Sequence, residues 1–106
     1  MGAARIVLVT HPSRGAAAFA RGLVERRLAA CVNLVPLRSV YRWKGRIESA
    51  PEVQLVIKTT VGRLKALERH VASEHPYDTP EFLALATAHA AARYQRWLRA
   101  ETAPDR

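Results

Sequence analysis

Four side chains in this sequence are suited to holding a soft or divalent metal ion: Cys31, His70, Glu74 and His75. His70 and Glu74 stand four residues apart, so on a helix they share one face, where an imidazole and a carboxylate can grip a divalent ion. The thiolate of Cys31 would suit Cu(I) or a similar soft ion. Nothing near Cys31 supplies a second donor at metal-motif spacing, so a complete site needs residues distant in the chain or from another subunit. Each candidate has a structural alternative. Cys31 continues an apolar helix stripe and suits a small buried position. His70 and Glu74 can form an ordinary solvated contact. His75 follows the stripe through Val71, which favours packing or capping over ligation. His11 and His89 stand singly in loops and say little.

Catalytic signatures do not emerge. The chain has no phosphate-binding glycine loop, no G-x-G-x-x-G, no H-E-x-x-H and no C-x-x-C, and Ser13 and Ser39 lack an identifiable base. The sequence therefore reads as a binding protein rather than an enzyme.

The elements that must position these groups follow from periodicity. Arg5 to Thr10 is a β-branched apolar run, expected as a strand covered on both faces or central in a sheet. His11-Pro12-Ser13 breaks it, with Ser13 as the expected N-cap of a helix from Gly15 to Ala30. In that helix Ala17, Ala20, Val24, Leu28 and Cys31 recur at three and four, and Ala16, Phe19 and Leu23 widen the stripe. Val32 to Ile47 alternates as a long strand, with Pro36 near its start and Gly45 expected to mark a bulge. Glu48-Ser49-Ala50-Pro51 has turn composition, and Glu52 to Thr60 returns to complete a hairpin. Arg63 to Glu74 is a second helix, with Leu64, Leu67 and Val71 inward, ended by Pro76. His75 to Pro80 is a two-proline loop. The residues from Glu81 read either as helix throughout or as a short strand with Phe82, Ala84 and Ala86 on one face. Arg93 to Arg99 is helical on both readings, and Thr102 to Arg106 is expected to fray. The order β-α-β-β-α, with or without a further strand, is the split β-α-β pattern of ferredoxin-like α+β folds. That fold hosts many functions and specifies none.

The totals bound the rest. The 106 residues suit a single domain, 1–106. No apolar run approaches the roughly 20 residues that span a bilayer, so no membrane partner is expected. One cysteine and no signal-peptide pattern place the chain in the cytoplasm by default. The net charge of +8 raises a nucleic-acid partner, but no run of five like charges occurs, which favours a generally basic surface.

Several segments together resemble the CutA divalent-cation-tolerance family. They are Leu28-Ala29-Ala30-Cys31-Val32-Asn33; Tyr41-Arg42-Trp43-Lys44-Gly45 with Ile47-Glu48; Lys58-Thr59-Thr60; His75-Pro76-Tyr77 with Pro80-Glu81; and Tyr94 with Trp97-Leu98. The resemblance spans nearly the whole chain. Two departures stand out: members commonly carry a proline near Ala86 and a glycine near Ala90, which this chain lacks, and its overall basicity is higher than expected of this small, often acidic family. The resemblance implies a ferredoxin-like sandwich with a long β-hairpin, a strand from about Glu81 and a C-terminal helix, assembled as a compact PII-like homotrimer. Pairing hairpin edges across subunits would satisfy their free amides and carbonyls and bury the Tyr41 and Trp43 face. It also implies that Trp43, Glu48, Lys58, Tyr77, Asp78 and Glu81 line clefts between subunits. A small anion or metal could sit there, or the residues could form an interface network. The implied function is divalent or soft metal-ion tolerance and homeostasis, copper-type ions included, by a metal-binding homotrimer. Two alternatives stand beside it: a PII-like signalling or interaction trimer with a small ligand in its clefts, and a basic nucleic-acid-binding module.

Overall fold

The computed structural model describes residues 2–104, so Met1, Asp105 and Arg106 lie outside the account. Its elements in order are β1 (Ala4–His11), α1 (Ala16–Glu25), β2 (Cys31–Trp43), β3 (Arg46–Thr60), a 3₁₀ turn (Val61–Arg63), α2 (Leu64–Glu74), β4 (Leu83–Ala86) and α3 (Ala92–Thr102). The strands form one antiparallel sheet in the order β2-β3-β1-β4. This is the ferredoxin-like α+β arrangement, with a long hairpin and a C-terminal helix.

Alternation in β1 and β3 builds the core. Val7 pairs with Ile57 and Val9 with Leu55, and all four are fully buried. Ala16, Ala20 and Leu23 of α1 and Leu67 and Val71 of α2 pack onto that same cluster. The register sends Ile6, Leu8, Val56, Leu83 and Leu85 to the opposite face, where Leu83 and Leu85 stay 54% and 46% exposed. β1 is therefore central, as expected: α1 and α2 cover its Val7 and Val9 face, and on the opposite face α3 packs at one end, with Leu98 against Ala4 and Thr102 against Thr60.

The hairpin differs from the sequence expectation. Its turn is Lys44-Gly45, both at positive φ (51° and 78°), with Trp43 facing Arg46. This is the primed two-residue reversal whose twist matches antiparallel strands. Gly45 is the turn itself rather than a bulge, and Glu48 to Pro51 lie inside β3. Pro51 faces Arg38 beyond the end of the β1 pairing, and Pro36 lies on the edge strand β2, so each proline has only one ladder to serve.

Helix α1 is shorter than its stripe, ending at Glu25 rather than Ala30. Arg27 takes the left-handed conformation at φ 57°. Its N–H donates to the Val24 carbonyl at 3.0 Å and that of Leu28 to the Leu23 carbonyl at 3.0 Å. These two bonds are a Schellman closure, and the buried residues of α1 are Ala16, Ala20 and Leu23, with Ala17 and Val24 exposed. Gly15, at φ 86°, occupies the N-cap without a side-chain bond, so Ser13 does not cap α1 through its hydroxyl. Thr102 does not fray. It is buried, donates to the Leu98 carbonyl at 2.7 Å and meets the Thr60 hydroxyl at 3.1 Å. The guanidinium of Arg27 donates to the carbonyls of Ala100 and Glu101, both at 3.3 Å, fastening the end of α3.

Candidate functional site

A cleft of about 830 Å³ opens between the hairpin arm, the end of β1 and the loop after α2. The arm contributes Tyr41, Trp43 and Lys44 near its tip and Glu52 near its root, and the loop contributes residues 76–81. The loop is pinned by His75, which is buried and uses both ring nitrogens. Nδ1 accepts the Tyr77 N–H at 3.0 Å, so Nε2 carries the proton and donates to the Thr10 carbonyl at 2.7 Å. Its ring also lies 4.9 Å from those of His11 and Tyr77 and 5.7 Å from that of Phe19. Burial holds the His75 imidazole below its ordinary range, and nearby His11 adds to that, against the opposing Thr10 bond and Glu52 charge. His11 is not a loop residue but the buried end of β1.

Tyr77 reaches from this anchor to Glu52. Its hydroxyl donates to Oε2 of the carboxylate at 2.5 Å, although Glu52 is only 5% exposed. Burial, with the Glu52 bond and charge behind it, pushes the phenol above the usual tyrosine range. Gln54 donates to Oε1 of Glu81 at 3.1 Å, tying the far end of the loop to β3. Pro76 and Pro80 stiffen the loop between these ties. The result is a concavity with aromatic walls and three carboxylates, Glu52, Asp78 and Glu81, opposed by Lys44.

Of the six residues expected in a cleft, Trp43, Tyr77, Asp78 and Glu81 line this one. Glu48 faces Tyr41 on the arm outside the cleft lining, and Lys58 lies at the opposite end of β3. There Lys58 donates to the Asn33 side chain and faces Cys31. Glu52, Tyr41 and Lys44 also line this cleft, where sequence reasoning did not place them. Their signal was present in the two-residue turn, since a reversal at Lys44-Gly45 places Glu52 within the paired arm.

The metal-ligand candidates are not gathered. Cys31 is half-buried at the start of β2 near Tyr94, whose phenol is raised above its ordinary range by burial first and by the nearby Cys31 second. His70 packs on Phe19 at 5.8 Å between ring centroids. Burial and then Arg26 lower its basicity, against a pull from Glu74, whose carboxylate accepts from Ser73 at 3.4 Å. His75 has no free ring nitrogen to offer. Among the described residues no group of three or more His, Cys, Asp or Glu side chains could hold a metal ion, so a pair such as His70 and Glu74 would need further donors from a second subunit.

Comparison with known proteins agrees with the fold. The family model described as CutA1 divalent ion tolerance protein matches residues 5–101. The chain is 46% identical over 99 residues to the divalent-cation tolerance protein CutA of Thermus thermophilus, covering 92% of this chain and 96% of that one. It is 42% identical over 99 residues to the chloroplastic CutA protein of Arabidopsis thaliana, covering 92% of this chain and 54% of that longer one. The solved structure of the PII-like protein CutA from Nostoc superposes with a TM-score of 0.91 at 33% identity, covering 95% of this chain and 99% of that one. With the strand order, the long hairpin and this agreement along nearly all of its length, the chain belongs to the CutA divalent-cation-tolerance family.

Proposed function

We propose that the protein works as a cytoplasmic homotrimer that binds divalent or soft cations, copper-type ions among them, and contributes to tolerance of them without catalysing a reaction. The observation that carries this is the outer edge of β2, a 13-residue strand with no partner beyond it in the sheet among the described residues. Val35, Val40, Tyr41 and Trp43 along it are exposed. Such an edge invites pairing with another copy, and a closed ring leaves none of it free. Cys31 begins that edge, so a neighbouring subunit could supply the donors it lacks. His70 with Glu74 is the second candidate pair, and His75 serves by holding the loop. The test is calorimetric titration of the purified protein with Cu(II), Zn(II) and reduced Cu(I), with its mass followed by light scattering. Saturable binding at a fixed ratio per subunit, lost in Cys31→Ser or in His70→Ala, supports the reading. Heats equal to buffer dilution sink the direct-metal part, and a monomeric mass sinks the assembly.

The cleft favours a second reading, a PII-like interaction or signalling trimer that binds a small ligand between arm and loop. Its volume of about 830 Å³ suits a small organic molecule.

A further inference from the structure

We infer that the cleft between the hairpin arm and the 76–81 loop receives an organic cation, a group of ammonium or guanidinium chemistry, with Glu52 as its counter-charge. This rests on the second reading above and names its ligand class.

Three observations converge. First, the cleft inverts the sign of the molecule. The chain carries a net charge of +8, yet among the described residues Glu52, Asp78 and Glu81 line the cleft against Lys44 as the single basic side chain. An anion would meet that field unfavourably. Second, Glu52 is a buried carboxylate whose hydrogen bond comes from a neutral phenol, and among the described residues no basic side chain forms an ion pair with it. A carboxylate taken out of water is costly unless a cation accompanies it. Third, the aromatic wall already attracts an ammonium. Nζ of Lys44 sits 5.9 Å from the centroid of the Trp43 ring. Within one subunit Tyr41 and Trp43 are 42% and 41% exposed, so in the assembly proposed above this wall lies where the neighbouring subunit meets the cleft. A bare divalent ion fits less well, because the carboxylates do not converge into a ligand set. An extended cation can lie on the rings and reach Glu52 with its donors, which a planar guanidinium does especially well.

The cation has two possible sources, a free amine or guanidine and a Lys or Arg side chain of a second copy of this chain. The experiment separates them. The full protein is titrated with propylguanidinium chloride and n-butylammonium chloride, and with sodium butyrate as the anionic control, at constant ionic strength. Glu52→Gln and Trp43→Ala are run in parallel, with oligomer mass measured for each. Glu52→Gln keeps the side-chain shape and an oxygen that can accept from Tyr77, and Trp43 is partly exposed; urea unfolding of each variant checks that both remain folded. Saturable binding of either cation, weakened roughly tenfold or more in both variants and absent for butyrate, assigns a free organic cation. No binding, with Glu52→Gln shifting the assembly toward smaller species, assigns the cation to the neighbouring subunit. An intact oligomer that ignores both cations and is unmoved by Glu52→Gln overturns the proposal. A monomeric mass would remove the assembly reading instead, and the titration with free cations would still decide this one.

Discussion

Replacing Tyr77 with phenylalanine removes one oxygen atom and keeps the ring that stacks near His75. In the native protein that oxygen donates to a carboxylate which is 5% exposed, at 2.5 Å. Hydrogen bonds to charged groups contribute about 1.5–3 kcal/mol, and a buried acceptor left without its donor costs about as much. Tyr77 is half-buried, so water can reach part of the gap, and the expected loss for Tyr77→Phe is about 2 kcal/mol. A double-mutant cycle isolates the interaction. Urea unfolding of the wild type, Tyr77→Phe, Glu52→Gln and the double variant, at one protein concentration, should give a coupling energy of about 1–2 kcal/mol. The phenol also predicts an alkaline signature. Its folded pKa is raised above the ordinary 10.0, so its contribution is whole below pH 10 and lost as pH rises beyond it. Wild type should weaken above pH 10 more steeply than Tyr77→Phe. Additive single losses, or identical alkaline profiles, would refute the Tyr77–Glu52 tie as a source of loop order.

Further outcomes follow from other residues. His75 has a lowered folded pKa, so its contribution is present above pH 6.5 and lost as pH falls below it. Melting temperature should drop between pH 7 and pH 5, with His11, Glu52 and Tyr77 as the groups facing the ring, and His75→Gln should flatten that slope. Gly45→Ala should cost roughly 1 kcal/mol in chemical denaturation, because φ is 78° and, beyond its own chain neighbours, no atom of the described residues lies within 4 Å of the added methyl, so the penalty is that of the backbone conformation. Leu55→Ala, at a fully buried position, should cost about 2–5 kcal/mol in the same assay.

Much of the fold was legible because it rests on local alternation. The run from Arg5 to Thr10, the stripe through Leu64, Leu67 and Val71, and the two long extended stretches each announce their element. The reversal between those stretches was not legible, because two turn signals competed. Pro51 carries the stronger breaker signature, yet it sits where β3 has outrun β1 and its missing donor matters little. Lys44-Gly45 is a weaker pairing than asparagine-glycine, yet it adopts the positive φ values that reverse the chain. That displacement also hid Glu52, which reads as the exposed start of a strand until Tyr77 is laid over it. The site depends on partners far apart in sequence. His75 meets Thr10 and Tyr77 meets Glu52 across separations of 65 and 25 residues, distances at which periodicity carries no information. The family resemblance supplied Trp43, Tyr77, Asp78 and Glu81 where residue patterns alone could not.

The strand order has a consequence for how the chain is made. β1 is synthesised first, but its partners are residues 53–60 and 83–86. The hairpin of β2 and β3 closes through a two-residue turn and can zip locally within microseconds, well before translation has delivered β4. An emerging chain therefore holds an apolar strand in waiting until β3 arrives to clasp it, and its second flank stays open until β4 follows. Vectorial synthesis and long-range closure are thus in tension here, and the early hairpin shortens the interval during which that strand is unprotected.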